Sequence, residues 1–173
     1  MVDDLASLTA DAIVRPATTR LDPTAAALRR LEILGGEESQ NRTRLSREPA
    51  VGAAVVTAAG GALPAEFVIH AVIRSEDEPV TRGNVARAWQ SALHQAQEWG
   101  FGHVSVPPLG TGAGNLTLED AAEIMATGLH AHRTRSGGGS SDATLPTDVS
   151  FVVERPEDQQ VFEAAIQRRG PAV

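Results

Sequence analysis

The stretch "VSVPPLGTGAGNLTLEDAA", Val104 to Ala122, holds the reading that decides the fold. An apolar run ends in two prolines, and three glycines then fall within five residues at Gly110, Gly112 and Gly114. From Leu116 to His132 the chain reads as a helix. Strand, glycine loop and helix in that order describe one half of a layered α/β unit. The glycines permit positive φ and close backbone approach, so successive N–H groups can converge on an anion. A helix starting after Asn115 adds its positive end to such a cradle. The plainer alternative is a flexible strand-to-helix connection. The dinucleotide fingerprint G-x-G-x-x-G is not met, because Asn115 stands where its third glycine belongs.

Outward from the loop, strand and helix signals alternate. "DAIVRPA", Asp11 to Ala17, reads as a short buried strand stopped by Pro16. "LDPTAAALRRLEILGG" reads as a helix with Asp22 as N-cap, Pro23 at the first position and Gly35-Gly36 as its stop. "VGAAVVT" (51–57) and "AEFVIHAV" (65–72) read as strands joined through a Gly/Pro turn. From Asn84 to Trp99 an apolar stripe of Val85, Trp89, Ala92, Leu93, Ala96 and Trp99 marks an amphipathic helix that Gly100 and Gly102 end. "HVSVP" (103–107) and "DVSFVVE" (148–154) read as strands, and "PEDQQVFEAAIQRR" (156–169) as the last helix. Residues 134–147 are Gly/Ser-rich and read as a mobile surface loop. With no internal repeat, residues 1–173 form a single domain of the three-layer αβα class with a mixed, mostly parallel sheet. Ligands in such sheets sit beyond the carboxyl ends of the strands. "RPAT", "PLGTGAGN" and "ERPE" all fall there.

Composition excludes several chemistries. All fifteen basic residues are arginines, so a Walker A loop, a Schiff-base lysine and a lysine general base are ruled out. The absence of cysteine removes disulfides, thiolate zinc and a cysteine nucleophile. A net charge of −7 argues against a general nucleic-acid binder, which needs a basic face. No apolar stretch is long enough for a membrane span, and a cytoplasmic location is the default expectation. His130 and His132 are two apart on a helix and make a poor metal pair, so no metal or cofactor is expected. His70, on a buried strand, reads as a hydrogen-bonded core histidine. Thr111 lacks a nearby base and Glu37-Glu38 reads as solvated charge, so neither is taken as catalytic.

Three motifs in register resemble the macrodomain family, the modules that bind ADP-ribose and related nucleotides. "DLASLTADAIVRPAT" is similar to the family's opening, "VGAAVVTAAGGALPAEFVIHAV" to its middle hairpin, and "VSVPPLGTGAGNLTLEDAA" to its second ligand loop. The likeness runs from about Asp4 to Ile166, and the family's first edge strand has no counterpart. It implies that Asp4 accepts from the adenine amino group and that Leu5 lines the adenine slot. It further implies that Gly110, Thr111, Gly112, Ala113 and Gly114 wrap the diphosphate and distal ribose. The first loop departs from the family: Asn-Ala-Ala-Asn is replaced by Arg15-Pro16-Ala17-Thr18, with Ala17 and Thr18 at ligand-contacting positions. The glycine run that follows it is replaced by Thr24-Ala25-Ala26-Ala27, which disfavours positive φ. The family's aromatic partner for adenine falls at Glu154, leaving Arg155 to stack on the base or to lie on the surface. The resemblance implies a binder of ADP-ribose, or of a protein bearing it. The alternatives are an ADP-ribosyl hydrolase and a degenerate macrodomain used for protein interaction. Loss of the second asparagine and the glycine run favours the binder.

Overall fold

The computed structural model describes residues 10–19, 49–59, 65–111, 116–136 and 144–169. Strands form where small and β-branched residues run together: β1 (Ala12–Thr18), β2 (Ala54–Ala58), β3 (Phe67–Arg74), β4 (His103–Val106) and β5 (Asp148–Phe151). Among the described residues three helices lie between or after them: α1 (Arg82–Trp99), α2 (Leu118–Ser136) and α3 (Pro156–Arg169). One five-stranded sheet has the order β2-β3-β1-β4-β5. β1 is parallel to β3 and β4, and β4 to β5; only β2 runs antiparallel, against β3. The mixed, mostly parallel sheet expected from the sequence is the one observed. The helix read over Leu21–Gly36 and the turn at 60–64 lie outside the described residues.

Local chemistry sets the helix ends. Thr81 is extended, and its hydroxyl accepts from the Asn84 N–H at 3.1 Å, which starts α1 at Arg82 and not at Asn84. Gly100 closes it at φ 76°, its N–H reaching the Ala96 and Gln97 carbonyls. α2 continues to Ser136, beyond the His132 expected from the sequence. Near that end the Ala131 oxygen accepts from both Thr134 Oγ1 and Arg135 Nε. Residues 134–136 are therefore helix and not loop.

The largest departure is in β1, which runs through Pro16 to Thr18. Proline lacks the N–H that a strand with two neighbours uses. β1 pairs with β4 only at Ala12 and Ile13, so at Pro16 it has a ladder partner on one side alone, in β3.

Alternation along each strand separates two faces. Ala12, Val14, Ile69, Ala71, Ile73, Val104, Val106 and Phe151 share one core with Val85, Trp89, Leu93, Met125, Leu129 and Phe162 of the helices. Trp89 is wholly buried, and its indole N–H donates to the Met125 carbonyl at 2.9 Å. The opposite face carries Ile13, Ala17, Val68 and Val72, each at most 3% exposed. A sheet dry on both faces is the middle layer of a layered α/β fold.

Candidate functional site

β1 is the point at which the chain changes direction across the sheet. β2 and β3 lie on one side of it, and the segment after β3 crosses over to β4 on the other. Open α/β sheets bind ligands at such a switch point, outside the carboxyl ends of the strands. Pairing between β1 and β4 ends at Ile13 and Ser105, and β1 then follows β3 alone to Thr18. The unladdered seam is bordered by Thr18 of β1 on one side, with Arg74 of β3 beyond it, and by the chain leaving β4 on the other.

That chain is the glycine loop. Gly110 sits at φ 89° and is buried. An added Cβ there would lie 3.0 Å from Leu116 Cδ1 and from Val85 Cγ2, and 3.1 Å from Val80 Cγ1. Backbone angle and packing therefore both demand glycine. The Gly110 carbonyl accepts from the Leu116 N–H at 3.4 Å, which fastens the two feet of the loop together. Just before it, the Leu109 N–H donates to the Met125 sulfur at 3.4 Å. Thr111 follows, half-buried. Gly112, Ala113 and Gly114 lie outside the described residues, as do Asp4 and Leu5.

The remaining sequence-derived residues are placed unequally. Ala17 is 0% exposed and packs with Val72 on the second face, so it offers no surface to a ligand. Thr18 is half-buried at the end of β1, where the register with β3 slips and pairs it with Arg74. The Arg155 guanidinium is exposed and forks onto Asp158, with bonds of 3.0 and 3.1 Å. Stacking on a base would require it to leave that carboxylate.

Two features escaped the sequence reading. The first is a buried polar chain that runs from β1 through β3 to β2. Arg15 is 3% exposed, and its Nε–H donates to His70 Nδ1 at 2.8 Å. His70 Nδ1 is thus unprotonated, and the opposite nitrogen donates to Thr57 Oγ1 at 2.7 Å. Desolvation, and after it the Arg15 charge, hold the His70 pKa well below its ordinary value. The ring is a hydrogen-bonded core histidine, as its place on an apolar strand suggested.

The second is Arg74. At this end of the sheet Arg82 is held by Asp120 and Glu123, and Arg155 by Asp158 and Glu157. Arg74 ends β3 beside Thr18, and its Nε is buried without a hydrogen-bond partner. The residue is half-buried, so this one N–H is left without a partner while the guanidinium is not wholly withdrawn from solvent.

A family model for the Macro domain matches residues 16–125. The chain belongs to the macrodomain family. An uncharacterised protein of Mycobacterium tuberculosis is 32% identical over 164 residues, covering 95% of this chain and 43% of its own length. The chain thus spans less than half of that relative. An uncharacterised protein of Aeropyrum pernix is 35% identical over 126 residues, covering 71% of this chain and 65% of its own. Among solved structures, the Trypanosoma brucei macrodomain in complex with ADP-ribose matches with a TM-score of 0.80 at 19% identity. It covers 95% of this chain and 67% of the other. The Oceanobacillus iheyensis macrodomain solved with ADP matches with a TM-score of 0.74 at 18% identity, covering 96% and 88% of the two chains. These two likenesses speak to the fold.

Proposed function

We propose that this macrodomain binds ADP-ribose or a closely related nucleoside diphosphate in the seam between β1 and the glycine loop. The observation that supports the reading most is Gly110, fixed at φ 89° at the carboxyl end of β4 on the rim of the switch point. A loop that starts from a positive-φ glycine and runs into a helix offers backbone N–H groups to a diphosphate without a lysine. In this reading Gly110 to Gly114 hold the diphosphate, with Thr111 and Ala113 contributing backbone. Asp4 and Leu5 define the adenine slot. The Thr18 hydroxyl faces the distal ribose, with the buried Ala17 behind it, and Arg155 flanks the base. Arg74 adds a cation at the far side of Thr18, which the sequence reading had left out.

The reading is of a binder rather than a hydrolase, because threonine at position 18 replaces the family asparagine that positions ribose or water. Calorimetric titration with ADP-ribose is the test. Saturable one-to-one binding that Gly112→Glu abolishes in a folded protein supports it, and a silent titration of the parent refutes it. Release of ADP-ribose from a modified protein, at a rate above the uncatalysed one, would overturn the choice of binder over hydrolase.

A further inference from the structure

Met125 occupies an unusual place. It lies in α2 and is 0% exposed. Yet both of its acceptors are used at once. Its carbonyl takes the Trp89 indole N–H at 2.9 Å, and its sulfur takes the Leu109 backbone N–H at 3.4 Å. The Leu109 N–H belongs to the Pro108–Leu109 peptide, one residue ahead of the peptide that enters Gly110. Leu109 is itself 0% exposed, so no water replaces the thioether if the thioether is lost. An unpartnered buried N–H is costly, and the loop can relieve it only by turning that peptide, which moves Gly110.

We infer that Met125 is the positioning residue of the glycine loop: its sulfur fixes the Leu109 peptide and so presets the loop for a diphosphate. This rests on the proposed function for its ligand, but the placement of the loop is testable without any ligand. Leucine or isoleucine would fill the same volume in α2, and neither offers an acceptor. Shape alone therefore does not account for the bond the sulfur makes.

The chain has only two methionines, Met1 and Met125, which permits a nearly atom-specific experiment. Protein grown with norleucine in place of methionine exchanges sulfur for a methylene at the same shape, and selenomethionine restores a soft acceptor. Met125→Leu, with Met1 intact, is the genetic counterpart. Three quantities are measured on each: affinity for ADP-ribose, affinity for adenosine, and the exchange rate of the Leu109 amide. If loss of the sulfur leaves the competent loop about one-tenth populated, ADP-ribose weakens about tenfold while adenosine, which lacks the diphosphate, changes less than about twofold. The Leu109 amide exchanges faster in the norleucine and leucine proteins and returns to the parental rate with selenomethionine. Equal weakening of both ligands, or unchanged affinity for both, overturns the inference. Unaltered Leu109 exchange in the norleucine protein overturns it as well. If the parent binds no ADP-ribose, the proposed function falls, and the exchange rates alone decide the role of Met125.

Discussion

Gly110 and Gly100 share a backbone class but not a neighbourhood, and the pair separates two costs that are usually merged. Gly100 has φ 76°, and a Cβ added to it would meet nothing within 4 Å. Gly100→Ala should therefore cost only the left-handed strain of an L-residue, about 1 kcal/mol. Gly110 has φ 89° and would bring its Cβ to 3.0–3.1 Å of Leu116, Val85 and Val80. Those contacts end on methyl groups that can yield a little, so overpacking adds about 1–2 kcal/mol rather than more. The sum for Gly110→Ala is about 2–3 kcal/mol. At about 2–4 °C per kcal/mol for a chain of this size, its melting temperature should fall by about 4–12 °C. Gly100→Ala should lose about 2–4 °C on the same scale. Paired thermal melts, with urea unfolding to check that the slope is unchanged, measure both. Equal losses, or a larger loss at Gly100, would refute the claim that Val80, Val85 and Leu116 close on Gly110.

Gly128 lies in α2 with Trp89 so near that an added Cβ would stand 2.6 Å from Trp89 Cδ1. Gly128→Ala should therefore destabilise by about 1–3 kcal/mol despite alanine's better helix propensity, with a change in near-UV dichroism from the displaced indole. His70 is held neutral in the folded state, so its contribution to stability is complete above the unfolded pKa of about 6.5 and is lost as pH falls below it. Urea unfolding between pH 7.5 and 5.5 should show stability declining by up to about 1.4 kcal/mol per pH unit below 6.5, and His70→Gln should flatten that part of the profile. Arg74→Ala should weaken ADP-ribose several-fold and reduce the salt dependence of binding, with adenosine unaffected; identical losses for both ligands would place Arg74 outside the phosphate's reach. Asp4→Ala should erase any preference for adenosine- over inosine-based ligands in competition titrations, since a buried acceptor discriminates by the donor it is given.

Where the signals are local, the sequence could be read nearly to the residue. Pro156 as first helical residue and the run to Arg169 define α3 as expected, because proline's fixed φ suits a helix start. Gly100 is legible for the same kind of reason. α1 starts earlier than its apolar stripe indicates, because Thr81 acts through a hydroxyl bond to Asn84, which leaves no trace in hydrophobic periodicity. β1 ends later than Pro16 indicates, because proline breaks a strand only when both sides of it are paired, and pairing is not written locally. The glycine loop was legible as a candidate site from its spacing. Its supports were not: a thioether acceptor in α2 for Leu109, and the valines of the β3–α1 connection and α1 around Gly110, meet it only through the tertiary fold.

The central position of β1 also bears on how the molecule assembles. Val14 pairs with Ile69, and Ile13 with Ser105, so the first strand of the sheet finds both neighbours far down the chain. Among the described strands, β2 and β3, antiparallel and paired from Ala58 and Phe67, are the two nearest in sequence. Closing the longer loops costs chain entropy before any contact is returned, which slows folding and favours late insertion of β1. Until then β3 and β4 flank an open slot with unpaired backbone on both sides. The Ala12–Thr18 segment of a second molecule fits that slot as well as the chain's own, so strand exchange between copies is the error this topology invites during refolding at high concentration.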